Sequence, residues 1–128
     1  MTETMPAFGA DRNAAIARLL GWLISKTELC RGMAPDCPII TRVPNYCDDD
    51  GACFRLLVTL QKLPVVREIA LRYIDETVCV KISTDLLNYS DGWTYDACEQ
   101  STLPGECGWR DAITQAAWEA LTAAKETA

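Results

Sequence analysis

The sequence predicts an α+β layered protein, about three helices around one small antiparallel sheet of about three strands, in a single domain over residues 1–128. Three observations carry that expectation. Apolar residues recur at helical spacing in three separate segments. Two runs of strict alternation sit between the second and third of them. A sheet of about three strands cannot close on itself and must bury a face, and three amphipathic helices suffice to cover it.

Taken in order, Ile16, Leu19, Leu20, Leu23 and Ile24 form one apolar stripe, which predicts a helix from Asp11 to about Lys26. Asp11 or Asn13 can accept from the free N–H groups of its first turn. Trp22 sits off the stripe. From Thr27 to Tyr46, Gly32, Pro35, Pro38 and Pro44 predict irregular chain, with a short extended piece at Ile39–Val43. Asp48, Asp49 and Asp50 then supply a cap and negative charge for a second helix from Asp49 or Asp50 to Lys62, with Phe54, Leu57, Val58 and Gln61 on its face, Leu60 beside that face and Pro64 as its stop. Ile69, Leu71 and Tyr73 alternate with Ala70, Arg72 and Ile74. After Asp75 and Glu76, Val78, Val80 and Ile82 alternate with Cys79 and Lys81, so the pair predicts a hairpin. A third strand is expected at Trp93–Ala97 after the Asp91–Gly92 turn, then a loop over Glu99–Gly108. Trp109, Ile113, Ala116, Ala117, Ala120, Leu121 and Ala124 mark the closing helix.

The chain has 128 residues, 49% of them hydrophobic and 23% charged, which is globular rather than disordered usage. Eighteen acidic residues against 12 basic ones give a net charge of -6. That sign, with no basic run, argues against direct nucleic-acid binding and fits either plain solubility or a basic protein partner. No apolar run reaches the ~18–20 residues of a membrane span. No cationic stretch leads into an apolar run at the start, so a cytoplasmic protein is expected. The seven cysteines, Cys30, Cys37, Cys47, Cys53, Cys79, Cys98 and Cys107, are then expected as reduced thiols, with Cys79 packing as a small hydrophobe.

His is absent, which removes His general bases and the commonest metal ligand. Zinc sites favour closely spaced Cys pairs, and none exists here. A four-cysteine site from Cys30, Cys37, Cys47 and Cys53 departs from that spacing. An EF-hand register centred on Gly51 puts Tyr46 first and Leu57 twelfth, and both fail as ligands. No Gly-rich phosphate loop occurs, so no cofactor is expected. Cys47 and Cys53, near a helix start that would favour a thiolate, are the best-placed nucleophiles, although the neighbouring aspartates oppose a second negative charge. A carboxylate-based enzyme and a metal-stabilised module are further alternatives. Asp48, Asp49, Asp50, Asp91, Trp93 and Tyr95 form the candidate interaction surface, since acidic and aromatic residues on loops suit recognition. Capping accounts for the aspartates on the plainer reading, and core packing for Trp93 and Tyr95.

The segment VPNYCDDDGACFRLLVTLQKL, a Pro-x-Tyr step into an acidic cap and an amphipathic helix, resembles the phage ABA sandwich domain family. The Gly21–Trp22 pair and the terminal WRDAITQAAWEALTAA extend the likeness. Cys47 stands where that family often has Ser. The resemblance implies an αβα layered sandwich and a phage or prophage origin, and no catalytic residues. The expected function is therefore that of a non-enzymatic accessory protein that binds a host or phage protein, one version being inhibition of a host defence complex through the acidic surface.

Overall fold

The structure, a computed structural model, describes residues 4–63, 66–74, 77–84, 94–100 and 107–127. It has the expected α+β architecture, with three helices and two antiparallel three-stranded sheets among the described residues. The order is α1 (Ala10–Leu19), β1 (Leu23–Ile24), β2 (Arg31–Met33), β3 (Thr41–Arg42), α2 (Asp50–Gln61), β4 (Val66–Ile74), β5 (Thr77–Thr84), β6 (Thr94–Gln100) and α3 (Cys107–Thr127).

The larger sheet runs β4-β5-β6. Its hairpin register pairs Ile69 with Ile82, Leu71 with Val80 and Tyr73 with Val78, with one shift between Val66 and Glu68. Strand alternation puts Val78, Val80 and Ile82 on one face, and all three are fully buried, while Lys81 between them is exposed. Cys79 alternates with the core residues and is half-buried, so it is not the core hydrophobe expected. The buried face meets α3, whose Ala112, Ile113, Ala116 and Ala117 are fully buried. Alanines on that stripe let the helix sit close to its neighbours, and α3 also packs against α1 and α2. Trp118, off the expected stripe, is buried for the same reason.

Two helix readings are corrected. The first helix stops at Leu19, not near Lys26. Gly21 adopts φ +99° and closes a Schellman arrangement, its N–H donating to the Arg18 carbonyl and the Trp22 N–H to the Ala17 carbonyl, each at 3.0 Å. Leu23 and Ile24 are thereby freed from the helical stripe and become β1. Neither Asp11 nor Asn13 caps this helix, since Gly9 holds the cap position.

In α2 the capping expectation holds. Asp49 is the N-cap, and its Oδ1 accepts from the Gly51 N–H at 3.2 Å. The buried face, however, is Ala52, Cys53, Leu56 and Leu60, because that line meets α3 and β4. Phe54 and Val58, expected inward, are 40% and 51% exposed.

The second sheet, ordered β1-β2-β3, was not expected from the Pro- and Gly-broken segment, beyond the extended piece that contains β3. Its strands are two or three residues long, and Gly32 at its centre meets β1 so closely that a Cβ there would lie 2.6 Å from the Leu23 carbonyl oxygen. The expected link at Asp75–Glu76 and the stop at Pro64 lie outside the described residues.

Candidate interaction surface

A polar latch fixes the start of α1 to the segment before α2 and to α3. Arg12, only 6% exposed, pairs with the Asp111 carboxylate and donates to Thr114 Oγ1 at 3.0 Å and to the Pro6 carbonyl at 3.2 Å. Asn13 Nδ2 donates to Asn45 Oδ1 at 2.8 Å, and its Oδ1 accepts from the Cys47 N–H at 3.0 Å. Arg110 Nε donates to the Cys47 carbonyl at 2.7 Å while its Nη1 reaches Asp50. Buried polar groups of this kind are costly unless paired. These pairings therefore dictate where the acidic triplet sits.

They also divide the triplet. Asp49 is spent on the cap and lies 4.0 Å from Arg55. Asp50 is paired with Arg110. Asp48 alone keeps its carboxylate free of a hydrogen bond or ion pair among the described residues. The three aspartates are all exposed, but two of them are structural. Asp91 and Trp93 lie outside the described residues. Tyr95 takes the register position opposite Ile82 in β6.

Asp48 borders a hollow of about 220 Å³ that is also lined by Arg42, Asn13, Asn45, Leu29 and Val43. Arg42 makes no ion pair among the described residues. The hollow is therefore lined by a cation, an anion, two amides and apolar side chains.

A second, apolar surface also stands out. Leu23, Ile39 and Ile40, on the small sheet and the loop leading to β3, are 67%, 65% and 60% exposed. Leu23 edges a shallow hollow whose wall runs through Pro35 to Pro38, next in the chain to Ile39. The sequence placed Leu23 on the first helix's apolar stripe and Ile39 and Ile40 in a short extended piece, and none of the three was expected at an exposed surface. Gly21 was the available signal, because a glycine one residue past Leu20 is a helix stop that detaches Leu23 from the stripe.

The thiols expected at the α2 start are not poised as nucleophiles. Cys47 and Cys53 are fully buried. Burial pushes the Cys53 thiol up to about 12, with Cys47 beside it adding to the effect. The Cys47 thiol is also raised, chiefly by burial, although a backbone hydrogen bond from Gly9 and the Arg12 charge pull the other way. A helix N-terminus does not compensate for that desolvation. Among the described residues no three Cys, Asp or Glu side chains gather as a metal would require, so the four-cysteine set does not converge there. No described helix is long and apolar enough to cross a membrane.

No protein-family model, curated protein or solved structure matches the chain.

Proposed function

We propose that this chain is a non-enzymatic accessory protein, of the kind phages and prophages encode, that works by binding a basic host or phage protein. The observation that carries the reading is the exposure of Leu23, Ile39 and Ile40, each at least 60% open to solvent on the small sheet and its loop. Fully burying such a side chain is worth about 1.5–3 kcal/mol. With roughly two-thirds of each still open, the three together hold on the order of 3–6 kcal/mol for a partner. The net charge of -6 and the exposed aspartates at the α2 start favour a basic partner through steering and rim contacts. A host defence complex that grips nucleic acid through a basic face is a partner of that chemistry. The buried, proton-holding thiols weigh against thiolate catalysis.

Capture from bacterial lysate with the full chain and with an Ile39→Asp, Ile40→Asp double variant tests this. The expected result is a basic protein in stoichiometric yield that the double variant loses while its far-UV circular dichroism is unchanged. Equal recovery by both chains, or no stoichiometric protein at low and physiological salt, overturns it.

The Arg42–Asp48 hollow supports a second reading, a small-molecule site that includes the carboxylate-enzyme alternative. A cavity of about 150 Å³ accepts benzene, so 220 Å³ has room for a short zwitterion. Slower alkylation of Cys30, on the hollow's edge, in the presence of small α-amino acids is the expected sign, and an unchanged rate counts against it.

A further inference from the structure

Cys79 in β5 and Cys98 in β6 hold directly opposed register positions on neighbouring antiparallel strands. No other register pair among the described strands brings two cysteines together. Directly opposed antiparallel residues have Cα atoms about 5.5 or 4.5 Å apart, depending on the pair type. Both values fall inside the ~4.4–6.8 Å window that a disulfide requires. The backbone is therefore already set for a cross-strand bond in either case.

Access is also provided. The Cys79 position alternates with Val78 and Val80, which are fully buried, so it lies on the face away from the helices. Cys79 itself is half-buried, Lys81 beside it is exposed, and so is Arg72, its register partner on β4. A small oxidant reaches this face without unfolding the core. Cys47 and Cys53 differ in both respects, being sealed in the core and outside any strand pair.

We propose that Cys79 and Cys98 form an oxidisable dithiol that closes to a disulfide across β5 and β6. With oxidised glutathione as oxidant, one protein thiolate attacks the glutathione disulfide and expels one glutathione thiolate. The second protein thiolate then attacks the mixed disulfide and expels the other. The net change breaks two protein S–H bonds and one glutathione S–S bond, and it forms one protein S–S bond and two glutathione S–H bonds. The bond closes the chain between residues 79 and 98 and fastens β6, which packs against α3, to the middle strand. Cross-linking a loop of this length constrains the unfolded chain. Oxidation is expected to raise Tm by ~10 °C.

The test equilibrates the full reduced chain in glutathione buffers of graded potential, alkylates what remains free, and maps the links by mass spectrometry. Trypsin with a Glu-specific protease cuts after Lys81, Glu76, Glu99 and Glu106, which separates residues 77–81 from 82–99 and both from Cys107. The expected product joins those two fragments, two hydrogens lighter than the reduced sum, and its yield tracks the rise in Tm. Cys107→Ser retains the link and Cys98→Ser loses both link and Tm rise. Cys79 that stays alkylatable in every buffer, or a link from Cys79 to any other cysteine, overturns the proposal. Because the wild-type map assigns the bond without a variant, poor folding of Cys98→Ser leaves the outcome decided.

Discussion

The body around α3 and the small sheet β1–β3 use the same kinds of side chain and treat them in opposite ways. In the body, Ile16, Leu56, Ile82 and Ile113 are at most 1% exposed. In the small sheet and its loop, Leu23, Ile39 and Ile40 are at least 60% exposed. Apolar character alone therefore does not bury a residue. The body succeeds because α3 has neighbours all round, with the larger sheet on one side and α1 and α2 on others. Strands of two or three residues have no comparable face to offer, and sheets that short are marginal without support. One glycine, Gly21, stands at the join between the two regimes.

That contrast can be broken hardest with alkali. Cys53 and Tyr46 both have pKa values pushed up to about 12 by burial in the body, against ordinary values of 9.0 and 10.0. The unfolded chain gives up those protons first. Stability is therefore fully present below pH 9 and falls as pH climbs towards 12, which urea midpoints at stepped pH will report. Leu56→Ala opens a cavity in the body and is expected to cost about 3 kcal/mol in the same assay. Asp111→Ala leaves the Arg12 guanidinium, 7% exposed, without its anion. About 2 kcal/mol is expected there, below the range for fully buried pairs because Asp111 itself is a quarter exposed.

Gly21→Ala sharpens the boundary itself. It forces a side chain onto φ +99° and sets a Cβ 3.1 Å from Pro35 Cγ. About 1–2 kcal/mol is expected, with the amide exchange of β1 rising before that of α3. The smallest effect falls in the small sheet. Ile39→Ser is expected to change stability by less than about 0.5 kcal/mol, because little of its surface leaves water on folding. A large loss there would place Ile39 in the folding core and remove the basis for a binding surface.

Much of the body was legible in the residues. The closing helix, the hairpin and the Asp49 cap follow from periodicity and from local hydrogen-bond chemistry. The face of α2 was only partly legible: Leu60 was read beside it, but Phe54 and Val58 are as apolar as Leu56. Only the position of α3 and β4 decides which line turns inward. The acidic triplet was visible as a group, yet its division into a cap, a partner for Arg110 and one free carboxylate depends on residues sixty positions away. Arg42 carried no pattern of its own, and the patterns that Leu23, Ile39 and Ile40 did carry, a helical stripe and an extended piece, gave no sign of their exposure.

The sequence by itself determined the α+β class, the β4–β5 hairpin and the Asp49 cap of α2, because those depend on contacts within a few residues of one another. Tertiary structure alone decided which apolar side chains stay in water, which thiols lose their acidity and which two strands set Cys79 against Cys98. Each of those depends on desolvation or on register, and both are set by chain segments that meet only after folding.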